Sequence, residues 1–224
     1  MKLNRNNCDD VIRAAFLIPG WCYLHELEYI YRLTKQSKKH LEIGTFSGKS
    51  LFVAGCAMDN GSEILCVDPM DFTYVQDIDP YFRIPYDNSD GIKSWIEDIF
   101  DLTVKALAKI VPDTKITLVK ETSVKAATQY DGGFFDTMYI DGVHIKQFVE
   151  MDIESWWPYL KPNGTMLGHD YSGQHMGVVE AVNDLFGPSS QYGSYETIHN
   201  TRFWQHVKPN HPKPPFEPAV ESVT

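Results

Sequence analysis

The stretch LEIGTFSGKS, residues 41–50, guides the interpretation of the rest of the sequence. Residues 39–43 have the pattern of a short strand that carries the acidic Glu42 near its end. Gly44 and Gly48 then open a helix of small and apolar residues at 50–58. Glycines let the backbone approach a ligand closely, and the free N–H groups of a helix N-terminus point at it. The stretch therefore predicts a strand–turn–helix cradle for a ligand.

The glycine spacing separates three cofactor classes. A dinucleotide site requires G-x-G-x-x-G, but Phe46 stands at the middle glycine. A phosphate loop requires G-x-x-x-x-G-K-[ST], and residues 44–50 are one residue too short. S-adenosylmethionine carries an ammonium group, which suits the acidic Glu42, and it has no phosphate. This cofactor fits best, and the alternative is a tight turn whose glycines serve packing alone.

The composition limits the function classes. With 224 residues, 43% of them hydrophobic, the chain can form one domain of good size or at most two small ones. A net charge of -10 argues against nucleic acid or a membrane surface as the main partner. No apolar run approaches the roughly 18 residues that span a bilayer, and residues 1–10 lack a secretory pattern. Four cysteines without C-x-x-C spacing predict buried free thiols and a cytoplasmic location.

Strand and helix patterns alternate along the chain. Five strands are predicted at 39–43, 63–67, 115–119, 134–140 and 165–168, and helical apolar spacing separates them. Two further strands are predicted near 195–199 and 202–207. Five strand–helix alternations indicate an α/β fold, a Rossmann-like, doubly wound, mostly parallel sheet with helices on both faces. We expect a single domain over residues 1–207.

Two segments fall outside this alternation. Residues 69–90 have no clear period but carry several aromatic residues, which predicts an aromatic-rich lid or substrate wall, or else an ordered surface loop. Residues 208–224 contain five prolines, which predicts an extended or disordered tail.

Polar residues follow all five predicted parallel strands, and in such sheets the ligand lies beyond the carboxyl ends of the strands. After the second strand, Asp68 can accept both hydroxyls of a ribose, or it can be a turn residue before Pro69. Ser123 can meet an adenine edge or act as a helix N-cap. Phe46 can pack against the cofactor or only fill the core.

Asp141 and Asp170 end two strands that are expected to be neighbours. Two converging carboxylates favour a hard divalent cation such as Mg²⁺, which would bind a substrate hydroxyl and lower its pKa. His144 and His169 add bases near neutral pH, with helix capping and core hydrogen bonding as their alternatives. Asp152 falls on the apolar face of its helix and is expected to support the site or the fold.

These residues resemble a known family. The segments EIGTFSGKS, VDP, ETSVKAA, FDTMYIDGVH and LKPNGTMLGHDY are similar, in order and spacing, to class I S-adenosylmethionine-dependent methyltransferases. The similarity is strongest to small-molecule O-methyltransferases of the macrocin and rhamnosyl type, and it covers roughly residues 17–207. It implies a seven-stranded sheet with an antiparallel last strand.

The resemblance also implies roles for single residues. Glu42 and Gly44 would face the methionine part of the cofactor, Asp68 the ribose and Ser123 the adenine. Further cofactor-binding candidates are Thr45, Phe46, Ser50 and Asp141. In related catechol-type enzymes an Asp and an Asp-Asn pair hold the metal; Asp141 and Asp170 match the acids, but Tyr171 stands in place of the Asn. His144 occupies the position of their general-base Lys, with His169 as the second candidate.

The expected reaction moves a methyl group to a hydroxyl of a small molecule such as a sugar, polyketide or phenol. The alternatives are a non-catalytic S-adenosylmethionine-binding protein and a phosphate-loop nucleotidase. A hydroxylase of the same fold is a third, for which the sequence offers no iron triad. The oligomeric state stays open, with a homo-oligomer among the alternatives.

Overall fold

The computed structural model describes residues 3–71, 89–187 and 196–210. Seven strands form a single sheet: β1 (Lys39–Ile43), β2 (Glu63–Val67), β3 (Lys115–Val119), β4 (Phe135–Ile140), β5 (Leu160–Gly168), β6 (Glu196–Thr197) and β7 (Trp204–Val207). The strand order is β3-β2-β1-β4-β5-β7-β6. Strands β1 to β5 pair in parallel, whereas β7 runs antiparallel to both β5 and β6. The predicted sheet with an antiparallel last strand is confirmed.

Helices cover both faces of this sheet. They are α1 (Cys8–Ala15), α2 (Leu24–Thr34), α3 (Lys49–Ala57), α4 (Ser89–Ile110), α5 (Ser123–Thr128), α6 (Lys146–Trp156) and α7 (Met176–Phe186). One core packs α1 to α4 against sheet residues such as Tyr139 and Leu167. The other packs α5 to α7 against Met138 and Ile140. Neighbouring residues of β4 therefore serve opposite cores, as the two-residue period of a strand requires.

The predicted elements differ from the structure in three places. Helix α1 was not predicted, because it is short and begins among polar residues, although it buries Val11, Ile12 and Ala15. Residues 161–164 (Lys-Pro-Asn-Gly), which precede the strand predicted at 165–168, form a bulge inside β5. Two steps along β4, from Phe135 to Thr137, correspond to five along β5, from Leu160 to Thr165. The 195–199 strand is reduced to β6, and residue 195 lies outside the described residues.

Two expectations cannot be compared with the structure. Most of the aromatic segment at 69–90 and most of the proline-rich tail lie outside the described residues. The division into one domain and a tail stays a prediction. Among the described helices, none combines the length and the apolar character that a membrane crossing requires.

Candidate active site

A cavity of about 750 Å³ lies at the carboxyl ends of the central parallel strands. This volume is within the range of small-molecule sites. All of the predicted site residues except Glu42 contribute to its wall: Gly44, Thr45, Phe46, Ser50, Asp68, Ser123, Asp141, His144, His169 and Asp170. The strand order places β1 next to both β2 and β4, so the side chains that follow these strands converge.

The turn after β1 is shaped by close packing against β4. Gly44 has a φ of +79°, and a Cβ at this position would lie 2.0 Å from the carbonyl oxygen of Asp141. The turn then continues through Phe46, at a φ of 48°, to Gly48, which caps α3 at a φ of 84°. Gly44 is therefore required by the contact between two strand ends, which holds Asp141 against the turn.

Glu42 lies beneath this turn, fully buried, and supports it from below. Its Oε1 accepts hydrogen bonds from the Thr45 hydroxyl (2.8 Å) and the Ser50 hydroxyl (3.0 Å). Burial raises the pKa of the Glu42 carboxyl to about 8, in spite of these two donors. Glu42 thus organises the turn that Thr45 and Ser50 share with the cavity.

Asp68 connects the end of β2 to the same turn. One carboxylate oxygen accepts the Phe46 N–H at 2.9 Å, and the other accepts the Met70 N–H at 2.8 Å. Burial raises the pKa of Asp68, although these backbone donors oppose the shift. Asp68 therefore fixes local backbone, as a turn residue would, and it also lines the cavity, while its contact with a ribose stays a prediction.

Ser123 and Asp152 form the wall of the cavity between α5 and α6. The Trp156 indole N–H donates to Ser123 Oγ at 2.9 Å. Asp152 is buried, lines the cavity and interacts with Ser123. Burial raises the pKa of the Asp152 carboxyl to about 7. Thr122, rather than Ser123, occupies the N-cap position of α5.

Asp170 is the centre of a charged cluster beyond β5. Its Oδ2 lies 3.0 Å from His144 Nε2 and 3.1 Å from His169 Nδ1, and its Oδ1 lies 2.9 Å from Arg202 Nη1. His175 Nε2 is 3.5 Å from Oδ1. Burial alone would raise the pKa of Asp170, but the histidine hydrogen bonds outweigh it and hold the pKa well below its ordinary value.

His169 is enclosed by acids on both sides of its ring. Nδ1 is 3.3 Å from Asp141 Oδ1, and Nε2 is 3.1 Å from Glu26 Oε2. Burial alone would lower the pKa of His169, but Asp141, Asp170 and Glu26 raise it well above its ordinary value. Arg202 Nη2 also lies 3.1 Å from His169 Nε2, so the ring is shared between acids and the guanidinium. The His169 side chain is only 2% exposed.

Glu26 and Arg202 link this cluster to distant parts of the chain. Glu26 is fully buried on α2, and its Oε1 accepts hydrogen bonds from the Arg202 backbone N–H (3.0 Å) and Nε (3.2 Å). Burial alone would raise the pKa of Glu26, but hydrogen bonds from His169 and Arg202 lower it to about 2. The Arg202 guanidinium also lies 4.5 Å from the centre of the Tyr23 ring.

The sequence interpretation missed several residues of this site. Glu26, His175 and Arg202 were not proposed, and neither were the cavity-lining Trp21, Tyr23 and Lys49. His175 comes five residues after Asp170, a spacing that could have suggested it. Glu26 and Arg202 are separated by 176 residues and have no local pattern that joins them.

Comparison with known proteins assigns the family. A family model described as a methyltransferase domain matches residues 41–171, which is more than half of the chain. The chain belongs to this methyltransferase family. The match includes the turn after β1, Asp68, Ser123 and the β4–β5 acids, so the family resemblance seen in the sequence is confirmed. No curated protein matches the sequence.

Solved structures of other methyltransferases share the fold. An O-methyltransferase from Bacillus cereus in complex with SAH is 14% identical, with 90% of each chain covered and a TM-score of 0.57. TomG from Streptomyces achromogenes, an O-methyltransferase of tomaymycin synthesis in complex with SAM, is 12% identical, with 89% of each chain covered and a TM-score of 0.61. CalS11, a TDP-rhamnose 3'-O-methyltransferase of calicheamicin biosynthesis, is 12% identical, with 93% of this chain and 82% of that chain covered and a TM-score of 0.56.

Family membership decides against the phosphate-loop nucleotidase. The glycine turn that suggested a phosphate loop lies within the matched residues, and it carries the short spacing already noted. At identities of 12–14%, the solved structures establish a common fold and leave the substrate to be argued from the site.

Proposed function

We propose that this methyltransferase transfers a methyl group from S-adenosylmethionine to a hydroxyl group of a small molecule. One observation carries the proposal: a single cavity joins Asp68, after β2, to the His144–Asp170 pair, after β4 and β5. A carboxylate suited to ribose hydroxyls and a histidine suited to take a proton thus face the same space. The cofactor would supply an electrophilic methyl group on its sulfonium.

The cofactor half of the cavity fits an uncharged ribose. The hydrogen-bond donors to the Asp68 carboxylate are backbone N–H groups, and a carboxylate can accept further hydrogen bonds beyond two. Thr45 and Phe46 supply turn backbone beside it, and Ser123 supplies a hydroxyl at the opposite wall. These residues would bind and orient the nucleoside, which is the main contribution that a protein makes to such a transfer.

His144 is the better general base of the two candidate histidines. His169 is 2% exposed and enclosed by Asp141, Asp170 and Glu26, which leaves its ring little access to an acceptor hydroxyl. His144 lines the cavity, and its Nε2 is held 3.0 Å from Asp170. We propose that His144, oriented by Asp170, takes the proton of the acceptor hydroxyl, while His169 and Arg202 balance the charge of the acids.

The residues present do not fit Mg²⁺ well. Three candidate ligand atoms, from Asp141, His169 and Asp170, lie within 4.8 Å of one another, but one of them is an imidazole nitrogen. Mg²⁺ prefers oxygen ligands in an octahedron. The two oxygens of Asp170 are also shared with Arg202 and three histidines. We therefore propose a reaction that proceeds without Mg²⁺.

An aromatic surface beside the cavity supports a flat acceptor. Trp21, Phe46 and Tyr23 line the cavity, and the ring centres of Trp21 and Phe46 are 5.2 Å apart. Aromatic faces stack on sugar and phenolic rings. We propose a sugar, polyketide or phenolic hydroxyl as the acceptor.

Calorimetric titration with S-adenosylhomocysteine tests the cofactor. We expect micromolar binding that Asp68→Ala weakens about tenfold or more, because about 1.4 kcal/mol corresponds to tenfold. Asp98→Ala, an exposed change on α4, should leave the affinity unchanged. EDTA and added Mg²⁺ should change neither binding nor turnover. No binding at millimolar ligand would refute the proposal.

Turnover on hydroxyl-bearing acceptors tests the base. His144→Ala should lower kcat by about 10²–10⁴, the usual contribution of a positioned base. The matched control is His25→Ala, whose side chain is 62% exposed on α2. If turnover survives His144→Ala unchanged, His144 has a structural role and another group takes the proton. If the wild type binds the cofactor but turns over no hydroxyl-bearing acceptor, the non-catalytic cofactor-binding protein becomes the better assignment.

A further inference from the structure

We propose that His144, Asp170 and His175 form a binding site for a divalent transition-metal ion such as Zn²⁺, and that the bound ion blocks methyl transfer by occupying His144. The binding site does not depend on the proposed function, whereas the block rests on it, because the block requires His144 as the base. This site differs from the carboxylate-rich site that the family resemblance implied, since it leaves out Asp141 and contains two imidazoles.

Two features of the backbone bring these three side chains together. Beyond β5 the chain turns back on itself, since the Ser172 N–H donates to the Asp170 carbonyl at 2.8 Å and the His175 N–H donates to the Ser172 carbonyl at 2.9 Å. Helix α7 then begins against the loop after β4. A Cβ on Gly177 would lie 2.3 Å from the His144 carbonyl oxygen, so the glycine permits this close approach. The fold itself therefore holds the three side chains in one place.

The donor atoms of these side chains have the spacing of a metal site. His144 Nε2 lies 3.0 Å from Asp170 Oδ2, and His175 Nε2 lies 3.5 Å from Asp170 Oδ1. One ligand atom from each of the three residues lies within 4.8 Å of the other two. Zinc bonds of about 2.0–2.1 Å in a tetrahedron separate neighbouring ligand atoms by about 3.3–3.4 Å. The two measured distances lie on either side of this value.

The ligand set selects the class of ion. Imidazole nitrogens suit Zn²⁺ and its neighbours among the transition metals, whereas Mg²⁺ prefers oxygen ligands. Two histidines and one carboxylate leave one position of a tetrahedron open. All three residues line the cavity, through which an ion can enter. Arg202 Nη1, 2.9 Å from Asp170 Oδ1, repels an incoming cation, so we expect micromolar rather than nanomolar affinity.

A bound ion changes which nitrogen of His144 carries the ring proton. A neutral imidazole has one N–H and one lone pair. Without the ion, the Nε2–H group donates to the Asp170 carboxylate, and the lone pair on Nδ1 accepts the proton of the acceptor hydroxyl. An ion on Nε2 requires the lone pair at that nitrogen, so the ring proton moves to Nδ1 by exchange with water. No proton is gained or lost, but His144 can then no longer act as the base.

Calorimetric titration of the chelator-treated protein with ZnCl₂ tests the site. The wild type should bind a single Zn²⁺ ion with micromolar affinity, and MgCl₂ at the same concentrations should not bind. His175→Ala should weaken Zn²⁺ binding by at least about 100-fold, because loss of even a hydrogen-bond partner of a ligand costs about 10–100-fold. The matched control is His25→Ala, which removes an exposed histidine 3.3 Å from one carboxylate and should leave the Zn²⁺ affinity unchanged.

A second variant and a second ion protect this test from a folding defect. If His175→Ala does not fold, His144→Ala should show the same loss of Zn²⁺ affinity. Co²⁺, which takes similar ligands, should give visible absorption bands with the wild type that the histidine variants lack. If the wild type does not bind Zn²⁺, or if both histidine variants bind it as the wild type does, the site is overturned.

The block is tested separately on the wild type. S-adenosylhomocysteine should bind the Zn²⁺-loaded and metal-free proteins with affinities within about threefold of each other, because the ion lies at the acceptor side of the cavity. Saturation with Zn²⁺ should lower turnover by about 10²–10⁴, as His144→Ala does, and EDTA should restore it. Undiminished turnover of the Zn²⁺-loaded protein would overturn the block. Failure of both forms to bind the cofactor would overturn the proposed function and the block that rests on it, and would leave the Zn²⁺ site standing.

Discussion

The acidic side chains at the two halves of the sheet edge have different kinds of hydrogen-bond and charge partners. After β1 and β2, the donors to Glu42 and Asp68 are hydroxyl and backbone N–H groups, and burial raises the pKa of both carboxyls. After β5, Asp170 is surrounded by histidines and Arg202, which hold its pKa well below the ordinary value. The same strand-end position therefore carries acids with opposite electrostatic surroundings.

This difference separates two tasks within one cavity. The half with neutral partners suits a ligand that brings hydroxyl or amino donors, because acceptor capacity is available there. The half with cationic partners has its charges balanced within the protein, which suits proton movement at His144. Substitutions in either half can test this difference. The following ones are ordered from the largest expected effect on stability to the smallest.

Removal of the Arg202 guanidinium should have the largest effect on the free energy of unfolding. Arg202→Met removes the guanidinium that joins Glu26, fully buried, to Asp170, 8% exposed. Breaking a buried ion pair in this way costs about 3–5 kcal/mol. Urea unfolding should show this loss, whereas Arg13→Met, at a side chain 71% exposed, should cost less than about 0.5 kcal/mol. Equal losses in the two variants would contradict the charge balance described here.

Titration of the Glu42 carboxyl should have the next largest effect on the free energy of unfolding. Its pKa is about 8 in the folded protein and about 4.3 when unfolded, so the folded state binds the extra proton between these values. Stability contributed by this group is therefore present at low pH and is lost as pH rises towards 8. Between pH 5 and pH 8 the wild type should lose about 3–4 kcal/mol more than Glu42→Gln.

The exposed Glu63 provides the control for this titration. Its side chain is 50% exposed at the start of β2, so Glu63→Gln should follow the wild-type pH curve. Thermal unfolding at several pH values measures the difference. Parallel curves for wild type and Glu42→Gln would show that Glu42 stays ionised when buried, and the contrast between the two halves would be lost.

Removal of the Thr45 hydroxyl, beneath the turn after β1, should have the smallest effect on the free energy of unfolding. Thr45→Val keeps the side-chain shape but removes the donor that lies 2.8 Å from Glu42 Oε1. The loss of one buried hydrogen bond should cost about 1–2 kcal/mol in urea unfolding. Thr128→Val makes the same chemical change at the exposed end of α5 and should cost less than about 0.5 kcal/mol. Similar values for both would mean that the turn does not depend on Glu42.

Local patterns were sufficient to predict much of the fold. Strands β2 and β3 begin and end where predicted, because short apolar runs lie between an Asn-Gly turn and Pro residues that interrupt the chain. The acids after the strands could be grouped in advance, since parallel strands end at one edge of the sheet. The β5 bulge was missed because the Pro-Asn-Gly signal marks a turn equally well inside or outside a strand.

The electrostatic state of the site could not be predicted from local patterns. The charges around Asp170 include that of Arg202, and the pKa of His169 is raised by Asp141, by Asp170 and also by Glu26. Glu26 reads as an ordinary acid of a helical first turn, and Arg202 as an ordinary residue at the start of a strand. Only the three-dimensional packing of α2 beside the segment before β7 gives them a common role.

The Glu26–Arg202 contact also has a consequence for the time at which the protein becomes active. The two residues are 176 positions apart. At a synthesis rate of roughly 5–20 residues per second, Arg202 is added to the chain roughly 9–35 s after Glu26. Until then Glu26 and Asp170 cannot be buried together without an unpaired charge. A nascent chain therefore completes its catalytic site last, when the segment that carries Arg202 docks, and cannot work before the fold is finished.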